Sequence, residues 1–240
     1  MASKSKAETK AAERAARLAE LEKQKKAQER KRNLMVGGVV GVVLVLVAAA
    51  IAFAVTRGSD VADGIQAGDS DYGLTIGDPD APRQVVIYED FLCPICGQLE
   101  ADTNQQLADM AEAGDVYVDY RPFNLFEGDP YSIESVSAFG AVLQESGPEV
   151  AKKFHDELFA DQPAEGDTAQ YPDTDWFVQK AVEAGADEAT IRPLIEAGEN
   201  DFARGATAEA VDNGITGTPT VIVDGKPLTN WNTLLDELES

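Results

Sequence analysis

An uninterrupted apolar segment constrains this chain more than any other feature of its sequence. Residues 34–55 (LMVGGVVGVVLVLVAAAIAFAV) are 22 residues long and contain no charged side chain. As an α-helix the segment would extend roughly 33 Å at ~1.5 Å per residue, which is enough to cross a hydrocarbon core of ~30 Å. A buried helix of a globular domain would normally show polar residues over such a length. We therefore predict one transmembrane helix over residues 34–55.

The charges on the two sides of this segment predict its orientation. Residues 1–32 carry 11 basic and 5 acidic side chains, a net charge of +6, whereas the rest of the chain carries 9 and 38, a net charge of −29. Basic flanks stay on the cytoplasmic side, so we expect a single-pass protein of the cell membrane with a cytoplasmic tail (residues 1–33) and an extracytoplasmic acidic part. A cleaved signal peptide is the alternative, although the leader and the apolar run are long for one. The acidity also excludes broad binding of nucleic acid by the exported part.

The residues after the span divide into a linker and one domain. Residues 56–71 are small and polar and contain glycine, which is typical of a linker. The domain, residues 72–240, has a continuously apolar strand at residues 84–88 (QVVIY), followed by a helix and a further strand. A block of helical patterns covers residues 129–213, and a strand pattern returns at residues 220–223 (TVIV). This order predicts an α/β fold with a helical insertion.

Both cysteines of the chain lie in one motif, Cys93-Pro94-Ile95-Cys96, before an amphipathic helix predicted over residues 94–113. Pro94 suits the first position of that helix because its φ is fixed near the helical value. Cys93 then falls near the N-cap, where free backbone N–H groups and the helix dipole stabilise a thiolate. Cys96 lies three residues later, on the same side and deeper. An exposed acidic sulfur at Cys93 would attack a disulfide, and Cys96 would resolve the mixed disulfide.

A zinc site and a structural disulfide are the alternatives for the cysteine pair. Zinc requires further ligands, and the only histidine, His155, lies in the helical block with no second cysteine pair, so no metal is expected. We interpret His155 as a helix-surface or capping residue. A structural bridge closing so short a loop would stabilise little. The preceding strand, the proline-started helix and the exported location favour a redox pair, with no cofactor beyond the Cys93–Cys96 disulfide.

A second motif, residues 214–220 (GITGTPT), precedes the late strand. The sequence alone does not distinguish a cis from a trans peptide bond before Pro219. The motif FLCPIC after a buried strand, GITGTPT before a later strand and the helical block between them resemble the DsbA-like branch of the thioredoxin superfamily. The resemblance is strongest to the membrane-anchored thiol–disulfide oxidoreductases of Gram-positive bacteria, and it covers residues 72–240.

The resemblance implies a thioredoxin-like fold with an inserted helical domain, preceded by the transmembrane helix. It implies the attacking and resolving roles given above for the two cysteines, and a cis proline whose flanking backbone pairs with an extended client. The residues that would support the active site are Pro94, Ile95, Thr218 and Pro219. The partners that it implies are exported client proteins with thiols and a quinone-linked membrane reoxidase.

Two positions depart from the family pattern. Many relatives have an acidic residue six positions before the first cysteine, which serves as a proton shuttle for the buried thiol, but this chain has Ile87 there. Glu89 and Asp90 are the remaining candidates for a proton relay. Ile95 stands where the best-known oxidants have a histidine, which would add polar stabilisation to the thiolate.

The expected function is that of an extracytoplasmic thiol–disulfide oxidoreductase that introduces disulfides into exported proteins. A reductase, for example in cytochrome maturation, and an isomerase would use the same dithiol, because the direction depends on the reduction potential. A thioredoxin-fold binding or scaffold protein with an inert disulfide is the alternative that is not an enzyme.

Overall fold

The computed structural model describes residue 62 and residues 64–240. The tail, the transmembrane helix and the start of the linker predicted above lie outside these residues. Within the described part of the chain, no helix combines the length and the apolar character that crossing a bilayer requires.

Five strands in the described residues form one mixed sheet in the order β1-β3-β2-β4-β5. The strands are β1 (Leu74–Ile76), β2 (Arg83–Glu89), β3 (Val116–Pro122), β4 (Thr220–Val223) and β5 (Lys226–Pro227). β2 runs parallel to β3 and antiparallel to β4, while β1 and β5 are antiparallel edge strands. The central position of β2 explains its apolar sequence, since Val85, Val86 and Ile87 are buried.

The helices fall into one connection within the sheet, one insertion and one closing element. They are α1 (Pro94–Ala113), α2 (Pro130–Ser146), α3 (Pro148–Ala160), α4 (Thr174–Ala184), α5 (Glu188–Glu196), α6 (Asp201–Asp212) and α7 (Leu234–Leu238). α1 connects β2 to β3, and α2 to α6 lie between β3 and β4 in the chain. The predicted α/β fold with a helical insertion is therefore confirmed.

Local sequence signals set the ends of the helices. α1 begins with Pro94 and ends at Gly114, whose φ of 81° is left-handed and suits a residue without a Cβ atom. Asp129, Asp173 and Asp187 accept hydrogen bonds from backbone N–H groups at the starts of α2, α4 and α5. These caps satisfy donors that would otherwise lack partners, and they explain why the helix boundaries are readable from the sequence.

Glycine allows two helices of the insertion to pack closely. A Cβ atom built on Gly140 of α2 would lie 2.3 Å from the ring of Phe202 on α6. The ring of Phe202 also packs edge-on against Phe139, with the ring centroids 5.9 Å apart. Position 140 therefore has to lack a side chain for α6 to reach its place in the core.

Residues 64–71, the last part of the region predicted as a linker, lie against the sheet. The buried Arg121 of β3 donates a hydrogen bond of 2.8 Å to the carbonyl oxygen of Gln66 and forms an ion pair of 2.8 Å with Asp119. The backbone N–H of Gly68 donates to the same Asp119 carboxylate over 2.8 Å. A segment of small polar residues, which suggests a linker, is thus held against the sheet by hydrogen bonds from and to its backbone.

Candidate active site

The dithiol lies where β2 ends and α1 begins. Cys93 is the N-cap residue of α1 and is 5 % exposed, whereas Cys96 in the first turn has no exposed surface. Both are free thiols. The backbone N–H of Cys93 donates to the carbonyl oxygen of Asp90 over 2.9 Å, which fixes the loop between strand and helix. The turn thus leaves Cys93 with a small exposed area and buries Cys96 completely.

The loop before β4 faces Cys93. The peptide bond between Thr218 and Pro219 is cis, and Cys93 Sγ lies 3.5 Å from the carbonyl oxygen of Thr218, to which the thiol form donates. Ile95 is 49 % exposed and presents an apolar side chain at the same helix start, next to the exposed Pro94. The structure therefore brings together the two motifs that the sequence analysis singled out.

The two sulfurs differ in acidity. The hydrogen bond from Cys96 and the backbone N–H groups of Ile95 and Cys96 outweigh the effect of burial, and they lower the pKa of Cys93 from 9.0 to about 6. Burial raises the pKa of Cys96, and the charges of Cys93 and Glu89 act in the same direction. At neutral pH the reduced site therefore holds a thiolate at Cys93 and a thiol at Cys96.

Glu89 ends β2 and pairs with a buried histidine. Both Glu89 and His155 have no exposed surface, and Glu89 Oε1 lies 2.6 Å from His155 Nε2. The interpretation of His155 as a helix-surface residue was wrong, because α3 turns this side chain toward β2. Burial lowers the pKa of His155, but the carboxylates of Glu89 and Asp156 outweigh burial and raise it to about 9. His155 is thus an imidazolium at neutral pH, hydrogen-bonded to Glu89.

Glu100 of α1 joins Glu89 and His155 in a buried cluster. The three residues offer atoms of metal-ligand type within 4.8 Å of one another. However, two ligands of one zinc ion, each ~2.0–2.2 Å from the metal, lie roughly 3.3 Å apart. The 2.6 Å between Glu89 and His155 is instead a hydrogen-bond length. The contact between Glu89 and His155 is therefore a hydrogen bond, and burial raises the pKa of Glu100 beside it.

Asp90 has different partners from Glu89. Its carboxylate accepts hydrogen bonds of 2.8 Å from the backbone N–H groups of Leu92 and Leu125, and a short one from the hydroxyl of Ser132. Burial raises the pKa of Asp90, while these hydrogen bonds oppose the rise. Asp90 thus ties the loop after β3 and the start of α2 to the dithiol loop.

Gln162, just after α3, is a site residue that the sequence analysis missed. Its side-chain Nε2 donates to the carbonyl oxygens of Phe91 and Cys93, over 2.8 and 3.0 Å. A Cβ atom on Gly97 would lie 2.5 Å from Gln162 Oε1, so the amide sits directly on the start of α1. No motif marks Gln162 or His155, because each acts on residues more than 60 positions away.

Thioredoxin-fold thiol–disulfide oxidoreductases have a mixed sheet and a dithiol at the start of a helix. In this dithiol the first thiol, at the helix N-cap, is acidic, and the second is buried. The fold and the dithiol place the chain in that class. The model of the thioredoxin family matches residues 69–239, and the chain belongs to this family. Within the superfamily it is a DsbA-like protein and a protein disulfide oxidoreductase, as the resemblance predicts.

Solved structures of disulfide oxidoreductases are similar to the chain over most of their length. The reduced form of the disulfide bond oxidoreductase DsbG from Mycobacterium tuberculosis is 27 % identical, with a TM-score of 0.64 over 75 % of this chain and 91 % of that one. DsbA from Mycobacterium tuberculosis is 25 % identical, with a TM-score of 0.60 over 70 % and 90 %. MdbA, a thiol-disulfide oxidoreductase from Corynebacterium diphtheriae, is 25 % identical, with a TM-score of 0.59 over 72 % and 92 %. Comparison with curated protein sequences gives no match.

Proposed function

We propose that this protein introduces disulfides into exported proteins through the Cys93–Cys96 pair. The observation that carries the proposal is the position of Cys93 at the N-cap of α1, 3.5 Å from the carbonyl oxygen before the cis Pro219, and the lowered pKa of Cys93 agrees with it. A stabilised thiolate favours the reduced form of the dithiol, so the corresponding disulfide is more strongly oxidising. The same dithiol with a low potential would be a reductase, which is the second candidate.

The proposed reaction moves two electrons from two client thiols to the Cys93–Cys96 disulfide, which becomes the dithiol. A client thiolate attacks Cys93 Sγ, the bond between Cys93 and Cys96 breaks, and its electron pair goes to Cys96 Sγ, which gains a proton. A second client thiolate attacks the client sulfur of the mixed disulfide. The client then carries the new disulfide, and Cys93 leaves as a thiolate. A membrane reoxidase, reduced in turn, restores the Cys93–Cys96 disulfide.

The surface beside Cys93 is where we place the client. An extended chain can pair with the backbone at Thr218 and Pro219, as a strand added to an exposed edge. Pro94 starts the helix that stabilises the thiolate, and the half-exposed Ile95 offers the client an apolar contact. A main-chain contact of this kind does not depend on client sequence, which suits an enzyme that acts on many exported proteins.

We assign the proton at Cys96 to Glu89 rather than to Asp90. The charge of Glu89 raises the pKa of Cys96, and Glu89 Oε2 has no hydrogen-bond partner among the described residues. The carboxylate of Asp90 already accepts two backbone hydrogen bonds and a hydroxyl, as described above. Glu89 is therefore the carboxylate with an oxygen free to take the proton.

The location that we propose rests on the sequence. The basic tail over residues 1–33 is cytoplasmic, residues 34–55 span the membrane, and residues 56–71 lead to the domain at residues 72–240. The acidic domain is then extracytoplasmic, where exported proteins with thiols and a reoxidase in the membrane meet it.

The reduction potential of the Cys93–Cys96 pair, measured against glutathione, tests the direction. An oxidase is expected nearer the about −120 mV of DsbA than the about −270 mV of thioredoxin, with the pair oxidised in cells. A value near about −270 mV with a reduced pair would favour the reductase. In parallel, Cys96→Ala should accumulate mixed disulfides in cells, and the double variant with Cys93→Ala should not. A Cys96→Ala variant that traps nothing would leave only the inert scaffold.

A further inference from the structure

The buried pair of Glu89 and His155 continues to a surface cavity. His155 Nδ1 lies 3.1 Å from Asp156 Oδ1, so that both ring nitrogens of the histidine have a carboxylate partner. The Asp156 side chain is 38 % exposed and lines a cavity of about 350 Å³ together with Asn104 and Lys152. Glu89, His155 and Asp156 thus form an unbroken row of hydrogen bonds from the interior to solvent.

The cavity opens far from the dithiol. Asn104 lies eight positions after Cys96 on α1, which corresponds to roughly 12 Å along the helix axis. Gly77, after β1, and the later part of α1 line its other walls. A client paired with the loop at Thr218 would cover the surface at Cys93 and leave this cavity open.

Asp156 is held as an anion at the cavity wall. Its Oδ1 atom accepts hydrogen bonds of 2.6 Å from Lys152 Nζ and 2.9 Å from Asn104 Nδ2. Burial raises the pKa of Asp156, but the hydrogen bond and charge of His155, with Lys152, outweigh burial and lower it. A proton that arrives on Asp156 is therefore released readily to water in the cavity.

Charged and titratable groups surround the pair on every side. The groups that face it are Cys96 and Glu100 from α1, Tyr120 from β3, and Lys152 and Asp156 from α3. Glu100 has both carboxylate oxygens unpartnered among the described residues, and burial keeps it protonated at neutral pH. A further charge beside this buried pair would be costly.

The geometry of these hydrogen bonds points to a proton path from Glu89 through His155 and Asp156 to the cavity, which we propose serves the buried Cys96, so that this thiol exchanges its proton away from the client. This inference rests on the proposed function and adds to it a route and two positioning residues, His155 and Asp156. The route matters because Cys96 has no exposed surface, and the client closes the side at Cys93.

In the resolving step, one disulfide bond forms, another breaks, and one proton leaves the buried thiol. Cys96 Sγ attacks Cys93 Sγ, forms the intramolecular disulfide and expels the partner thiolate with its electron pair. The proton of Cys96 goes to Glu89 Oε2, and His155 gives its Nδ1 proton to Asp156, which releases it to water. The buried pair changes from carboxylate and imidazolium to carboxylic acid and imidazole, so its net charge stays zero. The reverse sequence delivers the proton when Cys96 is the leaving group.

The reaction with 5,5′-dithiobis(2-nitrobenzoate) separates the two sulfurs in time and tests the route. The Cys93 thiolate of the reduced full-length chain, in detergent, releases one equivalent of thionitrobenzoate. Cys96 must then lose its proton before it releases the second. Stopped-flow absorbance gives both rate constants in a single experiment. The route predicts that changes at Asp156 slow only the second phase.

Asp156→Asn is the test variant because it keeps the size and the hydrogen-bond acceptor but cannot take up a proton at neutral pH. We expect the second phase to slow by ~10-fold or more, since positioned acid–base groups contribute 10²–10⁴-fold. The matched control is Asp109→Asn, the same change on an exposed residue of α1 whose carboxylate accepts a hydrogen bond from Gln105. The control should leave both phases unchanged, and an unchanged second phase in Asp156→Asn would overturn the route.

Chemical rescue separates the route from a structural role of Asp156. In Asp156→Ala, formate enters a cavity of about 350 Å³ and should restore the second phase with a saturating dependence on its concentration. A slow second phase that formate does not accelerate would also overturn the route. Failure of the proposed function looks different. An inert pair would release no second equivalent of thionitrobenzoate from the unmodified chain, and a reductase would release both equivalents but have a reduction potential near about −270 mV.

Discussion

At the scale of single residues, the two cysteines differ by where the start of α1 puts their sulfur atoms. Cys93 is at the N-cap, near the backbone N–H groups of Ile95 and Cys96, and Cys96 is one turn later and fully buried. The same local geometry lowers the pKa of the first and raises that of the second. The division of labour between attack and resolution therefore follows from position within one helical turn.

The reactivity of Cys93 should titrate well below that of an ordinary thiol. We expect the rate of alkylation by iodoacetamide in the reduced chain to rise with pH around a midpoint of about 6, because only the thiolate reacts. Mass spectrometry of the alkylated protein gives the rate and the modified residue. Cys93→Ser, which leaves only the buried Cys96, should show no such rise below pH 8.

The removal of His155 should expose the cost of a buried charge. His155→Leu leaves the Glu89 carboxylate without its partner, and we expect a loss of about 3–5 kcal/mol in the free energy of unfolding. Urea denaturation at pH 7 measures this loss. The double variant with Glu89→Gln should recover part of it, and an equal loss in the single and double variants would contradict the pairing.

The dithiol and Pro219 could be predicted from the sequence because contiguous motifs mark them. Glu89 was among the candidates for the proton relay, but its partner His155 was misread. The hydrogen bond between them joins residues 66 positions apart, and no local pattern records which face of α3 meets β2. A single histidine in a helix has the same sequence signature whether it is paired in the core or exposed.

At the scale of elements, the strongest local signals gave the most accurate boundaries. The prediction of a helix over residues 94–113 matches α1, where a proline starts the helix and a glycine ends it. The pattern over residues 231–238 predicts one helix, but the structure has a 3₁₀ turn at Trp231–Thr233 followed by α7. β5 has two residues, too few for a period to be read.

Close packing of α2 and α6 should fail when Gly140 gains a side chain. Gly140→Ala places a Cβ atom against the ring of Phe202, and we expect a loss of about 1–3 kcal/mol in the free energy of unfolding. Gly217→Ala is the control, because nothing lies within 4 Å of its added Cβ atom and its φ is not left-handed. Thermal unfolding compares the two. Equal melting temperatures of the two variants would show that α2 and α6 accommodate the added Cβ atom without loss of stability.

At the scale of the whole molecule, the sequence divides the chain by charge and apolar content. The net charges of +6 and −29 on the two sides of residues 34–55 carry the predicted topology. Composition predicts this arrangement without any tertiary information, whereas the sheet order and the buried cluster require the fold. The membrane topology is therefore tested by fractionation of the full-length chain, and the buried cluster by substitutions in the folded domain.

The full-length chain should behave as an integral membrane protein. We expect it to remain in the membrane pellet after extraction with alkaline carbonate, because residues 34–55 are long enough to span. The double change Leu44→Arg and Leu46→Arg adds about 2.5–3.5 kcal/mol per charge at the segment centre and should release it to the supernatant. Release of the unchanged chain would contradict the anchor.

The amide of Gln162 has a consequence for the insertion. Its side-chain amide donates hydrogen bonds to the carbonyl oxygens of Phe91 and Cys93. These hydrogen bonds form a joint between the end of α3 and the dithiol loop. If the joint differs between the dithiol and the disulfide, the two redox states hold the insertion differently. Linkage is then reciprocal: a molecule that binds the insertion of one state more tightly shifts the reduction potential by the same free energy. A partner bound to the helical insertion would thereby change the reduction potential of the Cys93–Cys96 pair without contacting either sulfur.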